Sequence, residues 1–131
     1  MKKANLPYFV TSKISWSEYT DFPYSTFKWR GIDGTDVIAH FVTTPTFWKP
    51  KQSTYTGTST AFEMINTYTN YKQRNILPKS AFHTSGNGDG GGGITEKMML
   101  NMNIMNELPR LPKVPRLTAP SLTEMFDEIE R

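Results

Sequence analysis

The chain has 131 residues, of which 37% are hydrophobic, enough for one domain with its own core. It contains no cysteine, which excludes a disulfide framework and a thiolate metal site, and a net charge of +3 with scattered Lys and Arg gives little drive toward nucleic acid. No apolar run approaches the ~20 residues needed to cross a bilayer, and Met1-Lys2-Lys3-Ala4-Asn5-Leu6-Pro7 lacks the apolar stretch of a signal peptide. The expectation is a cytoplasmic protein with neither nucleic acid nor membrane among its partners.

Residues 6–11 are a short β-prone run and predict a strand. Ser15-Trp16-Ser17-Glu18 then has the capping-box spacing and predicts a short helix that stops before Pro23. Residues 26–32 and 35–42 are β-rich and flank Asp33-Gly34, the strongest short-range hairpin signal in the chain. Residues 43–58 hold two prolines, several threonines and little periodicity, so they read as a long loop of the kind that is functional or mobile.

Phe62, Met64, Ile65 and Tyr68 fall close to one helical face and predict a helix over 59–74. Residues 79–84, bounded by Pro78, suit a strand, and 95–107 suit a helix in which Met98, Met102 and Met105 make a core stripe rather than a ligand set. Pro109 and Pro112 end that helix. Residues 113–118 could form one more short strand, and Ser121-Leu122-Thr123-Glu124 opens a last helix with Leu122, Met125, Phe126 and Ile129 on its apolar side. This order of elements predicts an α/β fold with parallel strand pairing.

Aromatic residues make up 13% of the chain, and Trp16, Trp29 and Trp48 all have aromatic neighbours in sequence. Most are expected in the core or an interface, with one or two left to form a stacking surface for a sugar. The segment Gly86-Asn87-Gly88-Asp89-Gly90-Gly91-Gly92-Gly93 sets one carboxylate in a tract of glycines, where backbone can turn sharply and another molecule can approach closely. Predicted to join a strand to a helix, this loop would lie where α/β sheets bind ligands. Composition alone suits a flexible linker better. A phosphate cradle fits less well, since Ile94-Thr95-Glu96 places an acid where a phosphate calls for a cation.

Four stretches in order, Tyr8-Phe9-Val10-Thr11-Ser12-Lys13-Ile14-Ser15-Trp16, Phe22-Pro23-Tyr24-Ser25-Thr26-Phe27-Lys28-Trp29, Gly31-Ile32-Asp33-Gly34-Thr35 through His40-Phe41, and Gly88-Asp89-Gly90-Gly91-Gly92-Gly93, resemble glycoside hydrolase family 38 α-mannosidases of the cytosolic and vacuolar branch. The resemblance covers nearly the whole chain and implies an internal fragment, residues 1–131, of the N-terminal catalytic domain. It implies a partial (β/α)-barrel-like architecture with a β-hairpin insertion, and a retaining exo-mannosidase whose zinc ion grips the terminal mannose. Such a mechanism uses two carboxylates about 5 Å apart, one the nucleophile and the other the acid and then the base.

On this resemblance Asp89 is the candidate general acid/base, and Lys13, Trp16, Phe47, Gly88 and Gly90 are the candidate substrate contacts. A surface lysine and a core tryptophan are equally good plain readings of Lys13 and Trp16. His40 is read as structural, with no metal role. The chain departs from the family by Ile94 in place of Pro and Phe47 in place of Tyr. It also lacks counterparts of the family's zinc-binding His and Asp residues and of its nucleophile; the histidines are His40 and His83, neither followed by Asp. The expectation is therefore no metal in this chain, no hydrolysis by it alone, and α-mannosides or free oligosaccharides as ligands, with the remaining segments of the catalytic domain as partner. Cut barrel strands would also leave a partly exposed apolar sheet face. The alternatives are a non-catalytic carbohydrate-binding or regulatory remnant and a phosphate-binding module.

Overall fold

The computed structural model describes residues 1–48, 52–76, 81–89, 91–108 and 114–130. Three strands, β1 (Tyr8–Thr11), β2 (Thr26–Arg30) and β3 (Asp36–Phe41), form one sheet in the order β1-β3-β2. Three α-helices follow, α1 (Ala61–Asn70), α2 (Glu96–Glu107) and α3 (Leu122–Glu130), and two single 3₁₀ turns lie at Lys2–Ala4 and Lys13–Ser15.

The hairpin forms where Asp33-Gly34 placed it: β2 and β3 are antiparallel with Arg30 opposite Asp36. Its turn closes with the Gly34 N–H on Gly31 O at 3.0 Å, while Asp33 Oδ1 accepts the Thr35 N–H at 3.0 Å. Gly34 has φ 77, a conformation that a residue with a Cβ adopts only at a cost. The predicted parallel strand pairing forms between β1 and β3, with Val10 opposite His40.

Alternation sorts the sheet into two faces. One carries Phe9, Phe27, Trp29 and Phe41 in a chain of ring contacts that Phe22 joins, with centroids 4.9–6.0 Å apart. This aromatic face is partly exposed, as Trp29 and Phe22 show. The other carries Tyr8, Thr26, Ile38 and His40 and is covered by Tyr71, Phe82 and Phe126. β3, the central strand, is buried from Ile38 onward, and Met64, Met98, Met105, Met125 and Phe126 complete the core from the helices. Of the predicted stripe, Met98 and Met105 are buried and Met102 is half-buried.

Gln73, just beyond α1, ties the helix to the sheet. Its Oε1 accepts the Ser25 N–H at 2.8 Å and its Nε2 donates to Thr26 O at 2.5 Å, so β2 starts from a buried clamp. The Lys72 ammonium reaches Asp21 and the Phe22 carbonyl beside it.

Three predicted elements do not form. The Ser15 capping box makes no helix: the Ser15 hydroxyl donates to Ser12 O at 2.6 Å, and Ser17 Oγ accepts from the Tyr19 and Thr20 N–H groups in an isolated turn. Residues 81–84 of the predicted fourth strand join no ladder, and the contact nearest to one is a single parallel bridge from Ser85 to Gly57. Residues 114–118 form no strand either; instead Asn106 holds them by paired bonds to the Leu117 backbone at 2.9 and 3.1 Å. The beginnings of both segments lie outside the described residues.

Candidate functional site

β1 and β3 run parallel, so their carboxyl ends open on the same side, where ligands of α/β sheets bind. From the end of β1 the chain enters the turn Lys13–Ser15, and from the end of β3 it enters the long loop of residues 43–58. A stretch of that loop, residues 53–57, gathers the other segments.

Ser53 receives the first of them. Its carbonyl accepts the Trp16 indole N–H at 3.0 Å, and its hydroxyl donates to Ser12 O at 3.3 Å. Thr54 is fixed from two sides, its N–H on Thr44 O at 2.8 Å and its carbonyl accepting from the Thr84 hydroxyl at 2.6 Å. Gly57 bridges to Ser85, and its carbonyl accepts the Gly86 N–H at 3.1 Å. A Cβ on Gly57 would lie 2.5 Å from Thr84 O, so this close approach requires glycine. The backbone leading into the glycine tract is thus clamped to the backbone that carries Tyr55.

The tract itself is a closed loop rather than a linker. The Asn87 N–H donates to Gly93 O at 2.9 Å and Asn87 O accepts the Gly92 N–H at 3.0 Å, which pinches the loop shut and projects Asp89 from its tip. Gly92 sits so tightly on Asn87 that a Cβ there would lie 2.4 Å from Asn87 O.

Asp89 meets Tyr55: the phenol hydroxyl donates to Asp89 Oδ1. On the same ring, the Lys13 ammonium lies 5.8 Å from the centroid, within range of the quadrupole of the aromatic face. The Tyr55 pKa is raised, first by its hydrogen bond to the Asp89 carboxylate and then by desolvation and by the negative charge. The phenol therefore stays a donor through neutral pH.

Two of the predicted site residues, Lys13 and Asp89, are brought together through Tyr55, which sequence reasoning did not single out. Its only local signal is an aromatic hydroxyl among threonines in a long loop. Trp16 is anchored two residues away on Ser53 and remains 41% exposed. Phe47 joins another group, packing edge-on against Trp48 at 5.4 Å and Phe62 at 5.8 Å. Phe47 and Trp48 are 67% and 88% exposed, so Trp48 does not take the core position open to the tryptophans as a group. Gly88 lies in the loop with φ 68 and open space around its α-carbon, while Gly90 lies outside the described residues.

The two histidines are committed to packing. His40 is fully buried with Nδ1 2.8 Å from Thr26 Oγ1, and burial pushes its pKa down to about 4. His83 has hydrogen-bond contacts at both ring nitrogens, to Ser59 at 3.2 Å and Thr67 at 3.1 Å. Among the described residues no three His, Cys, Asp or Glu side chains gather. This donor set does not fit the zinc ion that the resemblance implies for the complete enzyme. No helix of the described residues is long and apolar enough to cross a membrane.

The sequence pattern of the Glycosyl hydrolases family 38 N-terminal domain matches residues 1–131. The chain is 36% identical over 122 residues to alpha-mannosidase G of Dictyostelium discoideum, an alignment covering 93% of the chain and 10% of that protein. It is 32% identical over 131 residues to alpha-mannosidase 2C1 of Mus musculus, covering 100% of the chain and 12% of the relative. Against an alpha-mannosidase of Saccharomyces cerevisiae it is 32% identical over 127 residues, covering 92% and 11%. The chain spans about a tenth of the length of the curated relatives it matches. Matched from its first residue to its last, the chain belongs to glycosyl hydrolase family 38, within the N-terminal domain of that family.

Proposed function

We propose that this chain supplies the acid/base segment of a retaining α-mannosidase that removes terminal α-D-mannosyl residues from oligosaccharides, with Asp89 as the general acid and then the general base. The observation that supports this reading is the placement of Asp89. It stands at the tip of a pinched glycine loop on the carboxyl side of two parallel strands, with one oxygen hydrogen-bonded by Tyr55. A carboxyl so held can give its proton to a glycosidic oxygen and later take one from water.

The nucleophilic carboxylate and the zinc site belong, on this reading, to the remaining segments of a (β/α)-barrel-like catalytic domain in which the β2–β3 hairpin is an insertion. The compartment in keeping with it is the cytoplasm or the vacuole. Without a nucleophile there is no covalent route, so the 131-residue chain alone is inactive. Purified chain incubated with an aryl α-mannoside, with and without added zinc, is expected to give no turnover. In a complete family 38 domain carrying this segment, Asp89→Ala is expected to lose activity by about 10²–10⁴-fold and to form a mannosyl azide of retained configuration when azide is added. Turnover by the chain alone, or an Asp89→Ala enzyme of normal rate, would refute the reading.

The exposed pair Phe47 and Trp48 favours one other reading, a non-catalytic carbohydrate-binding remnant. It predicts saturable mannoside binding by the chain that weakens with Trp16→Ala and survives Asp89→Asn.

A further inference from the structure

We propose that Tyr55 is the positioning residue of Asp89: by holding Oδ1, it leaves Oδ2 as the oxygen that carries the proton. The inference rests on the acid/base reading of Asp89 and deepens it.

A carboxylate on an exposed glycine loop has two free side-chain torsions and a pliant backbone beneath them. Tyr55 has the opposite character. It rides on backbone fixed at Thr54, through Thr44 and Thr84, and at Gly57, through Ser85 and Gly86. Its rigid ring ends in a donor whose reach is set by that anchorage. The Lys13 cation over the ring draws on its electron density, which strengthens the hydroxyl as a donor. Because Oδ1 receives the phenol hydrogen, the proton of the neutral carboxyl resides on Oδ2.

The steps then balance. As a nucleophilic carboxylate from the rest of the domain attacks the anomeric carbon, the glycosidic C–O bond breaks and its electron pair stays on the leaving oxygen. That oxygen takes the Oδ2 proton and departs as an alcohol. In the second step Oδ2 accepts a proton from the water that displaces the carboxylate, and Asp89 returns to its starting form. The Tyr55 proton moves in neither step.

Two measurements test this. In the 131-residue chain, ring-carbon NMR of the six tyrosines, with Tyr55 assigned by Tyr55→Phe, follows the phenol titration. The Tyr55 midpoint is expected above that of free tyrosine and to fall with Asp89→Asn, a variant at an exposed tip that leaves the fold intact. In a complete domain carrying this segment, Tyr55→Phe is expected to lower kcat/KM, which reports the bond-breaking step, about tenfold on alkyl mannosides, whose leaving group needs the proton. It should leave dinitrophenyl mannoside, whose leaving group does not, within about twofold.

A Tyr55 titration that Asp89→Asn does not move overturns the contact. Equal losses of kcat/KM on both substrates overturn positioning in favour of a structural role. If Asp89→Asn hydrolyses alkyl mannosides at the normal rate, the acid/base reading itself fails, whereas a selective loss in Asp89→Asn with none in Tyr55→Phe sinks this inference alone.

Discussion

The ring of Phe126 lies flat on that of Tyr8, their centroids 4.3 Å apart and their planes 6° from parallel. This contact docks α3 on β1 across most of the sequence, and the Tyr8 hydroxyl extends it by donating to Asp127 Oδ1 at 3.1 Å. Phe126 is fully buried, with the ring of Phe82 also in contact at 5.5 Å.

Phe126→Ala should therefore cost about 3–5 kcal/mol, a large part of the stability of a chain this size. Urea unfolding followed by circular dichroism would show the midpoint fall, and Phe126→Leu should recover much of it. A wild-type midpoint in Phe126→Ala would mean that α3 does not pack on β1.

His40 predicts a pH dependence. Its ordinary pKa of 6.5 is pushed down to about 4 by burial, and its Nε2 has no hydrogen-bond partner among the described residues. Between those values the unfolded chain binds a proton that the folded chain refuses, so stability falls as pH falls from 6.5 toward 4. The loss from His40 reaches about 3 kcal/mol at the lower end. His83, also lowered by burial, acts in the same direction against the opposing charge of Glu63. Asp33 and Asp36, held low by Lys3 and Arg30, contribute only as pH drops through and below 3.8. Urea midpoints measured from pH 7 to 4 should decline, and His40→Gln should remove most of the slope. A flat wild-type profile over that window would contradict the burial of His40.

Glu63 closes the capping box of α1. Its buried carboxylate accepts from the Thr60 N–H at 2.9 Å and from the Thr58 N–H and hydroxyl at 3.0 Å, while Thr60 Oγ1 accepts the Glu63 N–H. Thr60→Ala should cost about 1 kcal/mol. Glu63→Ala, which strands several donors at once, should cost about 2–3 kcal/mol. Equal effects of the two substitutions on the denaturation midpoint would show that Glu63 acts only as a helix cap.

Gly92 predicts the sensitivity of the glycine loop. Alanine there sets a methyl 2.4 Å from Asn87 O, so the pinch must open and carry Asp89 away from Tyr55. Global stability should change by less than about 1 kcal/mol, because the loop is exposed. The Tyr55 phenol titration should nevertheless move toward that of free tyrosine. An unchanged Tyr55 signal in Gly92→Ala would mean that the pinch does not set the place of Asp89.

Local chemistry made part of this protein legible in advance. Asp33-Gly34 specifies a turn with the backbone of a few residues, and the hairpin follows. Ser121 and Glu124 form their capping box as spaced, with Ser121 Oγ accepting the Glu124 N–H at 3.2 Å and Glu124 accepting in return at 2.8 Å. The same spacing at Thr60 and Glu63 also closes a capping box, one that sequence reasoning did not single out. At Ser15 it misled, because Ser12 and Ser53 draw that hydroxyl into a tertiary contact and no helix pays back its loss.

By itself, then, the sequence determined the hairpin, the three helices with their methionine stripe, and the motifs that place the chain in family 38, since each depends on residues close together or on residue order. Only the tertiary structure decided that Lys13 and Asp89 meet on Tyr55, the one at its ring and the other at its hydroxyl. It also decided that residues 81–85 serve as an anchor for the 53–57 segment rather than as a ladder strand. Those outcomes hang on hydrogen bonds between groups about 30 or more residues apart, here Thr54 with Thr84 and Tyr55 with Asp89. No pattern within one segment encodes them; they appear only when the chain closes on itself and brings these distant segments side by side.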